Sequence, residues 1–453
     1  MLNNKELFEI CGVDIGNQLI NDIHWKSQDS NSTSLLFYKL GNNQRDLELF
    51  LQRMGETKYG WLILNKKVEP MPTRSSVIDE SSWPLIQKKI LDKLYPLPEI
   101  KFIGITGTNG KTTTTDLILQ AAHHLGKEGL SIGTLGVREY NRTILEFGLT
   151  SPSLIDLRKY LNLYGKNKEF CVMEVSSHAL VQDRYYGIEY DEAGWLSFTQ
   201  DHLDFHKTMD EYFKAKTLIL NKLKKSAMLF VPAEQEELFN RLKALSPKVR
   251  TAKIIQGELP VFFKAKFNKN NLEVAISIVE NLWGEFSQLD FFKLKSPDGR
   301  FYVRPFKSNL IVVDFAHTPD ALENICRGLK EAYPEYRLKV LFGCGGDRDR
   351  SKRSQMGSVA SVWADEIYVT SDNPRSENPD QIISDILSGI TGKNYQAITD
   401  RRAAVQVAFK ELENKEILLL AGKGHEDYIL INGVKHPYSD IKEVDEFVSR
   451  NEK

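Results

Sequence analysis

The feature that most constrains the fold is a short apolar run that leads through a glycine- and threonine-rich loop into a helix-like segment. The run is KFIGIT at residues 101–106, and the loop continues as GTNGKTT at residues 107–113. The segment that follows, TDLILQAAHHL, carries apolar residues at helical spacing. A strand that feeds a helix through such a turn is typical of a parallel sheet, since parallel strands need a crossover connection. The sequence therefore predicts an α/β fold.

The same loop predicts a phosphate site. Glycines allow several backbone N–H groups to converge on phosphate oxygens, and a helix N-terminus adds partial positive charge. Lys111 can reach the β- and γ-phosphates of a nucleotide, and the Thr112 hydroxyl can ligate Mg²⁺. The strict consensus would place glycine at position 105, where this chain has Ile105. The alternative is a glycine-rich turn with an incidental lysine, but the strand–loop–helix context favours a nucleotide.

Strand and helix patterns alternate along most of the chain. FCVMEVSS and AGWLSFTQ resemble buried strands, and NLIVVDFAH, RLKVLFGCG, DEIYVTSD and EILLLAGKG form a second series. Each run ends at a polar or glycine-rich loop, and ligands of open α/β sheets bind at the carboxyl ends of strands. We predict three domains: a small α/β domain at 1–97, a central P-loop domain at 98–300 and a Rossmann-like domain at 301–453. Residues 233–300 show no clear pattern.

Composition excludes several classes of protein. The 453 residues include 60 basic and 61 acidic side chains, so no basic field indicates nucleic acid or a membrane surface. The four cysteines are scattered without a C-x-x-C pair, which argues against a disulfide framework or zinc site. Neither a signal-like segment nor an apolar stretch of about 20 residues is present. We therefore expect a cytoplasmic protein.

Seven ordered motifs resemble those of the Mur ligase family. They are TGTNGKTT at 106–113, EVSSHAL at 174–180, DHLDFH at 201–206, DFAHTP at 314–319, GCGGDRD at 343–349, DNPR at 372–375 and GKGHE at 422–426. The resemblance is greatest to the branch of the family that adds the third residue of the cell-wall peptide. It implies an ATP-dependent ligase that uses ATP and Mg²⁺ in peptidoglycan synthesis.

The resemblance also implies roles for individual residues around the nucleotide. The family pattern assigns catalysis to Lys111, Glu174, His202 and Lys216, and metal binding to Thr112, Glu174, His202 and Lys216. ATP contacts are implied for Gly107, Thr108, Asn109, Gly110, Lys111, Thr112, Thr113, Asn268, Asn271, Arg300, Asp314 and His317. The family's G-R-M-E segment here reads Gly299-Arg300-Phe301-Tyr302, without the acid.

Lys216 is assigned by the resemblance alone, because a lysine on a helix is ordinarily a solvated side chain. The family carries at this place a lysine that reacts with CO₂ to give a carbamate, which is an anionic oxygen ligand suited to Mg²⁺. Carbamate formation needs the neutral amine, so burial beside a cation would favour it. Lys214 is the neighbouring alternative, and the Ala-Lys pair and the spacing from His202 favour Lys216.

Two organic substrates are implied besides ATP. Contacts to UDP-MurNAc-L-Ala-D-Glu are carried over to Thr150, Ser151, Ser176, Gln182 and Arg184. The family's uridine motif, D-S-R, appears only as Asp29-Ser30-Asn31, so the uridine contacts stay unassigned. The amino-acid acceptor is implied to meet Arg348, Asp372, Asn373, Pro374, Arg375, Gly422 and Glu426. Arg375 offers the distal carboxylate of meso-diaminopimelate a planar partner.

Several alternatives remain open at this point. The same reaction could use L-lysine as acceptor, or the chain could be a catalytically impaired paralogue that binds UDP-sugars. A folate-polyglutamylating ligase is a third reading, but its loops tend to read G-K-G-S and it lacks the EVSSH and DNPR motifs. A P-loop kinase would not need the second Rossmann-like region. We expect a monomer without nucleic-acid or membrane partners.

Overall fold

The computed structural model describes residues 1–41, 44–284, 290–297, 299–392 and 394–451. The chain forms two compact units. The first contains Met1–Phe102, Glu128–Cys171 and His178–Glu189, and the second contains Ile103–Lys127, Val172–Ser177 and Tyr190–Lys453. In the described part of the chain, none of the helices has the length and apolar character needed to cross a bilayer. The predicted three-domain division remains a prediction.

The strands alternate with helices along most of the chain, as the sequence pattern predicts. They are β1 (Asp22–His24), β2 (Ser34–Tyr38), β3 (Trp61–Leu64), β4 (Ser75–Val77), β5 (Lys101–Thr106), β6 (Gly129–Gly133), β7 (Gly136–Glu139), β8 (Arg142–Leu145), β9 (Phe170–Glu174), β10 (Glu192–Trp195), β11 (Leu229–Val231), β12 (Val249–Thr251), β13 (Tyr302–Phe306), β14 (Asn309–Asp314), β15 (Arg337–Phe342), β16 (Glu366–Val369), β17 (Tyr395–Ala397), β18 (Glu416–Ala421), β19 (Tyr428–Ile431) and β20 (Val434–Pro437).

The helices fill the intervals between these strands. They are α1 (Asn4–Cys11), α2 (Gln44–Glu56), α3 (Trp83–Leu94), α4 (Lys111–His124), α5 (Leu154–Tyr164), α6 (Ser177–Val181), α7 (Leu203–His206), α8 (Met209–Thr217), α9 (Glu236–Leu245), α10 (Val261–Lys264), α11 (Lys266–Trp283), α12 (Pro319–Ala332), α13 (Ser351–Trp363), α14 (Pro379–Leu387), α15 (Arg401–Lys410) and α16 (Asp440–Asn451).

The first unit contains a four-stranded parallel sheet in the order β1-β2-β3-β4. Leu35 and Ile63 join α1 and α3 in one core, while Leu36 and Leu62 join α2 in another. Successive residues of a strand point to opposite faces, so β2 and β3 each contribute to both cores. Strands β6, β7 and β8 form an antiparallel group in the same unit. The predicted small α/β character of the N-terminal region is therefore confirmed.

The second unit contains two sets of parallel strands. Strands β12, β11, β10 and β5 pair in that order. The other sheet has the order β13-β14-β18-β15-β16-β17, with only β13 antiparallel to its neighbour. Its central strand β18, EILLLA, is buried along its whole length. Leu419 faces a core with α12, α13 and α14, whereas Leu418 and Leu420 face one with α15 and α16. A run apolar on both faces is typical of such a covered parallel strand.

The registers of the second sheet align the ends of its strands. Asp314 at the end of β14 lies opposite Ala421 at the end of β18, and Phe342 of β15 lies opposite Val369 of β16. The loops 315–318, 343–350, 370–378 and 422–427 therefore leave one edge of the sheet. Parallel topology thus brings together motifs that are up to about a hundred residues apart in the sequence.

One long helix was not predicted. Helix α11 runs for 18 residues and packs against α4, within the stretch whose pattern was unclear. Its residues from Leu272 to Val279 are buried almost without interruption. Because the helix is covered on most sides, its sequence lacks the single apolar stripe by which a surface helix is recognised.

Candidate active site

The phosphate loop joins β5 to α4 and needs both of its glycines. Gly107 has φ +146° and Gly110 has φ +88°, values that disfavour side chains. A Cβ on Gly110 would also lie 2.3 Å from Oδ1 of Asn271. Gly110 is the N-cap of α4, which begins at Lys111. The loop therefore presents a helix N-terminus of the kind that binds anions.

Lys111 lies back over this loop. Its Nζ donates to the carbonyl oxygens of Gly107 and Thr108, each at 2.8 Å. Burial lowers the pKa of Lys111, although the carboxylates of Glu174 and Asp201 act in the opposite direction. The ammonium group is thus held by neutral carbonyl groups, which compete little with phosphate oxygens.

Lys216 is buried beside the same loop. The residue is 1% exposed, and its Nζ donates to the Gly107 carbonyl at 2.9 Å and lies 4.7 Å from the ring centre of Tyr212. Burial, and then the positive charge of Lys111, set the pKa of Lys216 well below its usual value, while Asp201 partly opposes this. Lys214 on the same helix is exposed. Of the two candidates, only Lys216 has the surroundings that favour a neutral amine.

The predicted metal ligands come from three separate elements. Glu174 ends β9 and is 2% exposed, and Thr112 lies in the first turn of α4. His202 adopts φ +55°, with its Nε2 3.4 Å from Oδ2 of Asp201. Among the described residues, no three acidic, histidine or cysteine side chains gather at one point. The Thr112 hydroxyl and the Glu174 carboxylate offer the oxygen ligands that Mg²⁺ prefers, whereas the His202 imidazole is a less usual ligand for this ion. Mg²⁺ commonly completes its coordination with water and phosphate oxygens.

Arg300 connects the DFAHTP motif, through Phe315, with the phosphate loop, through Thr112. Its guanidinium lies over the Phe315 ring at 4.5 Å, and its Nη2 lies 3.4 Å from the Thr112 hydroxyl oxygen. Its Nε is buried and has no hydrogen-bond partner within the described part of the chain. Burial lowers the pKa of Arg300, and the charges of Asp314 and Glu174 oppose the change. The guanidinium therefore has capacity for a further acceptor.

The remaining nucleotide candidates occupy different surroundings. Asp314 accepts from the Phe301 amide at 2.7 Å, and burial raises its pKa. The His317 Nδ1 lies 2.8 Å from the Phe315 carbonyl oxygen. Asn271 borders Gly110, whereas the Asn268 amide donates to Phe262 O at 3.1 Å. These contacts connect Asn271 directly with the phosphate loop.

The predicted acceptor motif lies in the loop after β16. Arg375 adopts φ +53°, and its amide donates to Leu430 O at 2.9 Å, which ties the loop to the β19–β20 hairpin. Its Nη1 donates to Gly346 O at 2.8 Å. Arg348 is exposed on the loop after β15. The aligned strand ends thus bring the DNPR loop beside the GGDRD loop. The Gly346 amide donates to Asn373 O at 2.9 Å, and a Cβ on Gly346 would lie 2.0 Å from Pro374 O.

A buried lysine that was not assigned from the sequence holds the acceptor motif together. Lys423 is 0% exposed, and its Nζ lies 3.2 Å from Oδ1 of both Asp372 and Asn373 and 2.9 Å from Oε2 of Glu426. Asn373 also donates to Glu426 at 2.8 Å. We call these four residues the acceptor cluster. The available signal was a lysine between two glycines at a strand end, inside the GKGHE motif.

Gly422 closes the acceptor cluster from the backbone. It has φ +109°, and a Cβ there would lie 2.8 Å from Oδ2 of Asp372.

Two further contacts could not be read from the sequence because their partners lie far apart in it. Lys352 pairs with Asp201 at 2.7 Å, and Asn109 of the phosphate loop donates to Asp320.

The candidates for the UDP-dipeptide substrate lie mainly in the first unit. Arg184 donates to Ser151 O at 2.8 Å and to the Gln182 side chain, while Tyr185 donates to the Ser151 hydroxyl at 2.7 Å. The hydroxyl groups of Thr150 and Thr134 are 3.4 Å apart. Four of the five predicted residues therefore belong to this unit, and Ser176 belongs to the second.

Known proteins resemble this chain along most of its length. Residues 105–288 match the Mur ligase middle domain, and residues 299–424 match the family description "Mur ligase, glutamate ligase domain". A Clostridium acetobutylicum protein named UDP-N-acetylmuramoyl-L-alanyl-D-glutamate–2,6-diaminopimelate ligase 1 is 34% identical over 97% of this chain and 96% of its own length.

Solved structures agree with these matches. One structure with the same ligase name is 26% identical, with a TM-score of 0.58 over 99% of both chains. The MurF ligase of Thermotoga maritima in complex with ADP is 17% identical and has a TM-score of 0.62, over 95% of this chain and 97% of its own. The latter likeness concerns the fold alone. The sequence matches, by contrast, cover the phosphate loop and the GKGHE segment, and by them the chain belongs to the Mur ligase family.

Proposed function

We propose that this chain is an ATP-dependent amide ligase that joins meso-diaminopimelate to the D-Glu carboxylate of UDP-MurNAc-L-Ala-D-Glu, in peptidoglycan precursor synthesis. The observation that carries the proposal is the identity of 34% over 97% of the chain to a relative named for these two substrates. The phosphate loop, the buried Lys216 and the DNPR loop supply the chemical groups that the reaction needs.

Amide formation requires a carboxylate oxygen to become a leaving group. Transfer of the γ-phosphoryl group from ATP to the D-Glu carboxylate gives an acyl phosphate and ADP. The acceptor amine then attacks the carbonyl carbon, the C–O bond to phosphate breaks and the amine loses a proton. Such transfer depends mainly on positioning and charge neutralisation. Lys111 and Arg300 supply positive charge here, and the unengaged Nε of Arg300 can meet a phosphate oxygen.

Thr112, Glu174 and His202 would hold Mg²⁺. The metal would supply neutralisation of charge on the phosphate oxygens. These side chains offer one hydroxyl, one carboxylate and one imidazole, so further oxygen ligands must come from the nucleotide, from water or from a modified side chain.

Lys216 is the side chain that we propose is modified. The neutral amine attacks the carbon of CO₂, a C–N bond forms and one proton is released, which leaves an anionic carbamate. Burial of this amine next to Lys111 favours the neutral, nucleophilic form. The carbamate would place an anionic group beside the ammonium group of Lys111.

The acceptor would be held by its two amino-acid heads. We propose that Arg375 and Arg348 receive a carboxylate, with Glu426 receiving an ammonium group. The hydrogen bond from Arg375 to Gly346 O uses only Nη1, so the other nitrogens of the guanidinium can donate two hydrogen bonds to a carboxylate. For the UDP-dipeptide, Arg184 is the proposed carboxylate partner, supported by Thr150, Ser151, Ser176 and Gln182.

The decisive experiment supplies the purified chain with ATP, Mg²⁺, UDP-MurNAc-L-Ala-D-Glu and either meso-diaminopimelate or L-lysine. We expect ADP, phosphate and the UDP-tripeptide with diaminopimelate, and little product with lysine. If product forms with L-lysine and not with meso-diaminopimelate, L-lysine is the acceptor. Tight binding of the UDP-dipeptide without ATP turnover would instead indicate a binding paralogue.

A further inference from the structure

We infer that Lys423 is a positioning residue for the amino-acid acceptor, which acts by fixing the carboxylate of Glu426. The inference rests on the proposed function, since it concerns the ammonium group of an acceptor. No substrate contact is assigned to Lys423 itself. Its side chain is completely buried, and its three hydrogen bonds are all to side chains of the acceptor cluster. Its Nζ also lies 5.9 Å from the ring centre of Tyr428.

The geometry separates the two oxygens of Glu426. Lys423 contacts Oε2 at 2.9 Å, and the Asn373 amide donates to the same oxygen at 2.8 Å. Within the described residues, these contacts leave Oε1 available. A carboxylate held through one oxygen by two donors has its rotation restricted, so its other oxygen points in one direction. A rigid acceptor of this kind lowers the entropic cost of binding an ammonium group.

Charge balance gives a second reason. Lys423 carries one positive charge, whereas Asp372 and Glu426 carry two negative charges. The buried Arg401, which contacts Ser371 O beside the cluster, is paired with Asp440 by a 2.7 Å contact and adds no net charge. The group therefore has a net charge of about −1 when all members are ionised. One ammonium group would neutralise it, whereas a cluster without Lys423 would carry two uncompensated carboxylates side by side.

The fold explains why the lysine reaches this position. Lys423 follows β18, and Asp372 and Asn373 follow β16, whose ends lie at the same edge of the sheet. Gly422, at φ +109°, turns the chain where a side chain would meet Asp372. A buried ion pair seldom contributes much to stability, because desolvation offsets the attraction. The positioning of the Asp372 and Glu426 carboxylates gives a functional reason for burying Lys423.

The test compares Lys423→Met with Lys435→Met. Lys435 lies on the neighbouring hairpin strand β20, is exposed and stacks on Tyr428 at 4.0 Å. We expect Lys423→Met to raise the acceptor KM by about ten- to a hundredfold, the loss typical of a disturbed charge-assisted contact. The KM values for ATP and the UDP-dipeptide should change less than about threefold, and Lys435→Met should match the wild type.

A uniform loss of kcat with unchanged acceptor KM would overturn the inference, since a purely structural lysine acts in that way. If Lys423→Met does not fold, Lys423→Gln replaces it, because the amide can still donate a hydrogen bond inside the cluster while the positive charge is lost. An unchanged acceptor KM in Lys423→Gln would equally overturn the inference, and a selective increase would support it. Absence of ligation by the wild type would refute the proposed function instead, so the two failures are distinguishable.

Discussion

The second unit contains two groups of buried ionisable side chains at the ends of parallel strands. The groups differ in the partners of their basic side chains. In the phosphate-loop cluster, defined as Lys111, Lys216 and Arg300, burial lowers the pKa of every member. Both lysines donate to the carbonyl of Gly107. In the acceptor cluster, the single lysine contacts two carboxylates.

The difference shows how one architecture prepares for opposite charges. A cation held by neutral carbonyl groups keeps its attraction for an added anion, such as phosphate. A cation already surrounded by carboxylates leaves a negative balance, which suits an added ammonium group. The backbone geometry of strand ends is common to both clusters, and the side chains decide which charge is bound.

The largest effect is expected at the phosphate-loop cluster. Lys111→Ala should reduce kcat for ligation by about a thousandfold or more, because the phosphates lose their charge partner. Thermal stability should change little, since the lysine contacts only backbone carbonyl groups. Turnover assays and melting curves of the same preparation measure both quantities. If the variant ligates at close to the wild-type rate, the assignment of this loop to phosphate binding is wrong.

Lys216→Met tests the same cluster through stability as well as activity. Ligation should fall by about a thousandfold, while the melting temperature at neutral pH should rise. In protein freed of bicarbonate, the folded pKa of the Lys216 amine lies well below its unfolded value, so folding carries a free-energy cost wherever the unfolded amine is protonated. This cost is present below the folded pKa and disappears as pH approaches the unfolded value of about 10.4.

The stability gain of Lys216→Met should therefore shrink as the pH rises towards about 10. Lys214→Met, on the exposed side of the same helix, is the matched control and should change neither quantity. Removal of bicarbonate from the assay should slow the wild type, and its return should restore the rate. A rate independent of bicarbonate would count against the carbamate.

A smaller and more selective effect is expected at the acceptor loops. Arg375→Ala should reduce kcat/KM for meso-diaminopimelate by about a hundredfold, because a carboxylate loses its paired partner. Activity with L-lysine should change much less. Arg350 is 71% exposed and pairs with Glu377 nearby, so Arg350→Ala is a suitable control. Equal losses with both amino acids would mean that DNPR does not determine specificity.

The smallest effect concerns an ion pair that belongs to neither cluster. Lys352→Met should lower the free energy of unfolding by about 1–2 kcal/mol, less than for a wholly buried pair, since the Lys352 side chain is 20% exposed. Burial raises the pKa of the Asp201 carboxyl, but the charges of His202 and Lys352 lower it by a larger amount, so the net shift of this pKa is downward. The stabilisation should persist down to about pH 4 and decline below it. Lys352→Arg should retain most of it.

Local pattern was sufficient for the phosphate loop and for most strands. KFIGIT, NLIVVD and EILLLA became β5, β14 and β18, because a strand buried on both faces needs a continuous apolar run. Of the two lysines on α8 that were considered, Lys216 is buried and Lys214 is exposed, and the modification of Lys216 stays a prediction. Helix α11 was missed for the opposite reason, because burial on most sides removes the apolar stripe.

What the sequence by itself determined is therefore the α/β class, the phosphate loop and the motifs that resemble the Mur ligases. Only the tertiary structure decided how the motifs are joined. It placed Lys423 between Asp372 and Glu426, which lie 51 residues before it and three after it. It also left Lys216 without a carboxylate contact in hydrogen-bonding range among the described residues. The physical reason is that burial and charge pairing depend on neighbours from distant segments, and no local pattern of residues records which segments those are.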